Sequence, residues 1–165
     1  MSQQRLRRPG RLPGVSYVGI RRYLLTLCTA EREPWFTDGV LVNQLRSQLR
    51  QSAADHGFAV PAHCIMPDHV HLLAEGTTVR SDVRRFVSSL KQRLGFRFSQ
   101  ERGGRLWQDG YHDRILRDDE ATLTVVRYIL ENPVRAGLVK RFSDYPYSES
   151  DRYSLEELAA GVSQG

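Results

Sequence analysis

The chain predicts an α+β fold, and three observations carry that expectation. Runs rich in branched and aromatic residues at 23–29, 58–66 and 69–75 read as strands. Apolar residues at helical spacing fill the intervals: Leu41, Leu45 and Leu49, then Val79, Val83, Phe86, Leu90 and Leu94. The elements follow one another as β-α-β-β-α-β-α, with a helix after the first strand and another after the third.

Taken in order, residues 1–14 hold four arginines, no acid and no apolar period, so they read as a flexible basic arm. After the first strand, "REPWFTDG" supplies a turn and a helix start with Thr37 or Asp38 as cap, and Gly57 can end that helix. The next two strands are joined by a tight turn at Pro67-Asp68. "LWQDGYHDRIL" reads as a fourth strand, bent or bulged near Gly110. Asp118, Asp119 and Glu120 load the start of a third helix with acid, and that helix runs to Asn132 before Pro133. Such an order fits a ferredoxin-like βαββαβ antiparallel sheet with both helices on one face, plus a C-terminal helix. Residues 15–148 form the expected domain, and 149–165 a polar, peripheral tail.

A chain of 165 residues suits one core rather than two domains. No run approaches a membrane span or a signal core, and Cys28 and Cys64 lie in apolar runs without CxxC spacing. Free buried thiols suit a reducing compartment, so the expected location is the cytoplasm, with no membrane partner. Charge is unevenly placed: residues 80–117 carry ten Lys or Arg against four acids, and 22 of the 24 basic residues are arginine. The arginine fork suits phosphate, so the clustering points to a nucleic-acid partner, while composition alone leaves a merely solvated basic face equally open.

"CIMPDHVHLL", residues 64–73, sets His69 and His71 on one side of a strand and Val70 on the other. Two imidazoles side by side can ligate one divalent cation, or they can be satisfied core residues. A third donor is needed for a metal site. His56 reads as a capping or surface residue, and His112 as a surface or DNA-contacting one. His63 either flanks the pair or faces away, depending on register. In "VVRYILENPVRAGLV", Tyr128 and Asn132 are four apart and share a helix face. Asn132 could offer a carbonyl oxygen to the metal and Tyr128 a phenol to a substrate. Equally, Asn132 before Pro133 matches the start of a new helix, and Tyr128 could sit at a core edge.

"MPDHVHLL", "GRLWQDGYHDRIL" and "YILENPVRAGLV", in this order, resemble the REP-associated tyrosine transposases, single-tyrosine, IS200-like members of the HUH endonuclease superfamily. The resemblance spans about Tyr23 to Ser148. It implies a metal-dependent enzyme that cleaves and rejoins single-stranded DNA near hairpins through a 5′-phosphotyrosine intermediate. By that resemblance Tyr128 is the nucleophile, and His69 and His71 bind Mg²⁺ or Mn²⁺. Asn132 is the amide ligand, with Glu131 the second choice. Arg80, Arg84, Arg85, Lys91, Arg93, Arg97, Arg114 and Arg117 are candidate phosphate contacts. Trp107 and Gln108 match a segment of structural or DNA-contacting role. Partners are single-stranded or hairpin DNA, and the chain acts as monomer or homodimer. The alternative is a domesticated protein that binds palindromic repeats without mobility. Replication initiators and relaxases fit less well, since they use larger chains or another motif order.

Overall fold

Alternation decides which way each strand faces. The computed structural model describes residues 15–160; the expected basic arm at 1–14 lies outside the described residues. In β1 (Arg22–Cys28), Tyr23, Leu25 and Leu27 are fully buried on one side, while Leu24, Thr26 and Cys28 take the other. β3 (His69–Gly76) repeats the pattern, with Val70, Leu72 and Ala74 on the first side and His69, His71 and Leu73 on the second. β2 (Phe58–Met66) pairs with β3, β4 (His112–Ile115) with β1, and β5 (Ser148–Ser150) with β2, all antiparallel. The sheet order β4-β1-β3-β2-β5 contains the expected ferredoxin-like arrangement in its first four strands.

Helices cover both faces. α1 (Gly39–His56) and α2 (Val83–Arg102) bury Leu41, Leu45, Leu49, Phe86, Leu90 and Leu94 against the first side. Asp38 caps α1 by accepting from the Val40 amide at 2.8 Å, and Gly57 ends it in a left-handed conformation at φ 70°. On the second side lie α3 (Thr122–Leu130), the single turn α4 (Asn132–Arg135) and α5 (Leu155–Ala160), where Val125, Val126, Ile129, Leu130 and Leu158 close a smaller core. No helix among the described residues is long and apolar enough to cross a membrane.

Several boundaries differ from the sequence pattern. Val79 is 77% exposed, and α2 starts only at Val83 because the Asp82 carboxylate accepts from the Arg84 and Arg85 amides. The fourth strand shrinks to four residues. Gly110 turns the chain at φ 75°, and Lys91 Nζ donates to the carbonyls of Gln108 and Gly110 at 2.8 and 2.6 Å. Trp107, buried against Phe36, makes only an isolated bridge with Thr29. The acids before α3 do not lie in its first turn: the helix begins at Thr122, and Glu120 accepts from Arg114 and from the Arg117 amide. Within the expected peripheral tail of 149–165, described to residue 160, Glu149 and Ser150 join Ser148 in β5, and Leu158 is buried to 2% exposure. The Arg127 guanidinium holds that last helix by donating to the Leu158 and Glu157 carbonyls.

His63 faces α1, where Arg46 Nε donates to its Nε2 at 3.3 Å. Burial, then the charges of Arg46 and Arg50, push its pKa from 6.5 down to about 4. A lowered histidine pKa means the unfolded chain binds the proton first. His63 should therefore remove stability as pH falls from about 6.5 to about 4, by roughly 3 kcal/mol in all. Denaturant melts across that window should flatten in His63→Asn. Separately, Asp82→Ala should lower stability by about 1–2 kcal/mol in urea unfolding, through the lost α2 cap.

Candidate active site

The two-residue turn at Pro67 and Asp68 sets the register in which Met66 faces His69 and Cys64 faces His71. That register puts both imidazoles on the second side of the sheet while Val70 is buried beneath α1 and α2. The rings lie edge to face at 4.7 Å between centroids, and their Nε2 atoms approach to 3.0 Å. Each outer nitrogen has its own partner: His69 Nδ1 lies 2.6 Å from Asp68 Oδ1, and His71 Nδ1 lies 3.0 Å from Thr26 Oγ1 on β1. Arg32 in turn donates to the other Asp68 oxygen at 2.9 Å. Against the pull of burial, hydrogen bonds from Arg32 and His69 keep the Asp68 carboxyl below its ordinary range.

Burial first, then the charges of His69, Arg135 and Arg32, lower the His71 pKa to about 4, so the ring is neutral at pH 7. Facing Nε2 lone pairs at this distance repel unless a proton or a cation lies between them. Asp68 fixes the His69 tautomer with its proton on Nδ1, which leaves Nε2 as a donor atom for a metal. Two nitrogens 3.0 Å apart, each about 2.1 Å from one ion, subtend about 90° there, the angle between neighbouring ligands of an octahedral cation. The pair thus fits a divalent ion with further oxygen ligands. Among the described residues no group of three or more His, Cys, Asp and Glu gathers as a metal site.

α3 packs over β2 and β3 on the same side of the sheet as the histidines. Tyr128 is 48% exposed on it. The chain leaves regular helix at Glu131 and resumes at Asn132–Arg135; Pro133 has no N–H to give to the Ile129 carbonyl four residues back. Tyr128 and Asn132 stay neighbours across this break, because Asn132 Nδ2 donates to the Ile129 and Tyr128 carbonyls at 3.0 and 3.3 Å. Its amide oxygen accepts no hydrogen bond among the described residues and remains available as a ligand. Glu131 has its carboxylate 3.6 Å from Arg135.

The candidate phosphate contacts divide by layer. Arg84, Arg85, Arg93 and Arg97 lie on α2, across the sheet from the histidines, with Arg80 just before it. They pair with acids: Arg84 and Arg85 with Asp82 at 3.1 and 4.0 Å, Arg93 with Asp55 at 2.7 Å, Arg97 with Glu101 at 2.8 Å. Arg84, Arg85 and Arg93 border an open polar groove of about 670 Å³ with His56 and Ser88. Lys91 is engaged within the fold at the 108–110 turn, and Gln108 extends the sheet edge through its amide to Cys28. Arg114 shares the histidine side on β4, paired with Glu120 at 2.7 Å, and the exposed Arg117 lies 3.5 Å from Asp119. His112 stands in register with Thr26, which is itself in register with His71, so it edges the same face.

The sequence alone does not single out Thr26, Arg32 or Arg135, which reach the site across 45, 37 and more residues of chain or through a helix break. Asp68 had a local signal, adjacency to His69 in a turn. Arg135 places its guanidinium 4.4 Å from the Tyr128 ring centroid.

Residues 20–132 match the family model described as Transposase IS200 like. A Haemophilus influenzae protein classed as a REP-associated tyrosine transposase is 28% identical over 148 residues, covering 82% of this chain and 83% of that protein. The ISDra2 transposase TnpA of Deinococcus radiodurans is 32% identical over 127 residues, covering 72% of this chain and 88% of that one. Among solved structures, a REP-associated tyrosine transposase bound to a REP hairpin shares the fold, with a TM-score of 0.71 at 21% identity over 84% of this chain and 81% of that one. The chain belongs to the IS200-like transposase family, and its relatives there include REP-associated tyrosine transposases.

Proposed function

We propose that this transposase cuts and rejoins single-stranded DNA beside a hairpin, with Tyr128 as nucleophile and His69 and His71 holding a divalent metal. The observation that carries this reading is the pair of Nε2 atoms turned toward each other at 3.0 Å, on the sheet side that the Tyr128 helix covers. Asn132 supplies its free amide oxygen as a third ligand. Glu131 is second to it, because its carboxylate already faces Arg135. The hairpin as substrate rests on the relatives, one of which is bound to a REP hairpin.

In this reading the Tyr128 phenol loses its proton to solvent and its oxygen attacks the scissile phosphorus. The P–O3′ bond breaks, the 5′-phosphate stays on Tyr128, and the departing 3′-oxygen takes up a proton. Attack by a 3′-hydroxyl on the phosphotyrosine reverses the exchange, so no ATP is consumed. Mg²⁺ or Mn²⁺ bound at the histidine pair would supply positive charge to the phosphate oxygens. Asp68 and Thr26 keep both imidazoles aimed, and neutral His71 keeps a lone pair available. DNA arriving at Tyr128 meets Arg114 on the same side of the sheet, with the exposed Arg117 in the loop that follows. The α2 arginines serve DNA only where it passes over the opposite layer.

Incubation of hairpin oligonucleotides with the protein and Mn²⁺, followed by a denaturing gel, should give a covalent protein–DNA band. Tyr128→Phe should abolish it and His69→Ala should nearly do so. A full-strength band from Tyr128→Phe would overturn the nucleophile assignment, and tight hairpin binding without any adduct from the natural chain would favour a repeat-binding protein. Asp68→Asn and Thr26→Val should each slow adduct formation by roughly 10- to 100-fold, with the deficit shrinking as Mn²⁺ is raised.

A further inference from the structure

Arg135 follows Tyr128 by seven residues, two helical turns, and so falls on the same side of the α3–α4 segment. Three contacts tie it there. Its guanidinium carbon lies 4.4 Å from the Tyr128 ring centroid, Nη2 donates to the Tyr128 carbonyl at 2.6 Å, and Nη1 lies 3.6 Å from a Glu131 oxygen. The side chain is nevertheless 43% exposed, and its acid partner is at the long end of ion-pair range. Such a pair contributes little to stability. A guanidinium carries five N–H donors, and the two contacts to Tyr128 and Glu131 leave several of them open to a ligand.

α4, which carries Arg135, packs against β2, the strand whose Cys64 and Met66 stand in register with His71 and His69. A phosphate attacked by Tyr128 comes within reach of a guanidinium already stacked on that ring. Stacking over the ring holds the tyrosine in one orientation, and the planar fork matches two non-bridging phosphate oxygens.

We propose that Arg135 is the phosphate-holding residue of this site, steadying the Tyr128 ring while it donates to the non-bridging oxygens of the scissile phosphate and offsets the charge that builds there during attack. The proposal rests on the reading that Tyr128 attacks DNA.

The test uses one hairpin oligonucleotide in two forms. The first has the natural scissile phosphodiester; the second has a methylphosphonate at that position, in which a methyl group replaces one charged oxygen. Arg135→Gln should slow single-turnover adduct formation on the phosphodiester by on the order of 100-fold, with hairpin affinity little changed, and Arg135→Lys should recover part of the rate. On the neutral methylphosphonate, natural and Arg135→Gln proteins should react at similar rates. Equal losses on both substrates would show a merely structural role and overturn the proposal, as would undiminished rates on both. Failure of the natural chain to form any adduct would overturn the tyrosine chemistry itself, and this proposal with it. Thermal melts read by circular dichroism establish folding, and the lysine variant keeps the comparison open if glutamine disturbs it.

Discussion

The site depends above all on the register of β3 against its neighbours. A strand alternates with a period of two, so a slip of one residue would turn both imidazoles into the α1–α2 core and bring Val70 to the opposite side. Unpaired, buried imidazoles and an exposed valine make that slip expensive. The turn that forbids it is clamped from outside the hairpin. The Thr29 amide and hydroxyl both donate to the Asp68 carbonyl at 3.0 Å, and the Phe36 amide donates to the Pro67 carbonyl at 3.0 Å. With the backbone of Asp68 held this way, its side chain reaches His69 on one oxygen and Arg32 on the other. One tight turn thus sets the face, the tautomer and the aim of the first imidazole.

The two sides of the sheet divide the labour. Beneath α1 and α2 the packing is apolar and continuous, with Tyr23, Leu25, Leu27, Phe86 and Leu90 all buried. Beneath α3 the core covers only part of the sheet, from Ala62, Cys64 and Leu73 to Leu116. The rest of that side carries Thr26, His69 and His71, each partly exposed. A rigid, well-packed layer on one side lets the other present polar groups without losing their geometry. The arginines follow the same division. Those of α2 are satisfied by acids of the helical layer, whereas Arg135 stands against the tyrosine.

What was legible in the sequence is what has a short period. Strand alternation revealed the faces of His69 and His71, Asp38 and Gly57 marked the ends of α1, and the four-residue spacing joined Tyr128 to Asn132. What was not legible depends on pairing across distance. Thr26 becomes a partner of His71 only through the β1–β3 register, and β5 becomes a strand only because β2 offers it an edge. Local rules also lost to tertiary demands. The acids at 118–120 suggested a helix start, but Glu120 is taken by Arg114, and Val79 matched the apolar stripe although the Asp82 cap starts α2 after it. Pro133 was visible as a break; that Asn132 would still reach back to the Tyr128 and Ile129 carbonyls was not.

The placement of Tyr128 finally rests on α5. Arg127 and Tyr128 are adjacent, so their side chains leave α3 in different directions. Arg127 satisfies the carbonyls of Glu157 and Leu158 in α5, while Tyr128 stacks against Arg135. Leu158 buries its side chain in the same small core as Val125 and Ile129, so α5 both packs on α3 and is held by it. Loss of α5 would uncover that core and free Arg127 together. The tyrosine would then depend on α3 resting against β2, β3 and β5. α5 therefore helps hold the helix that carries Tyr128 on the histidine side of the sheet.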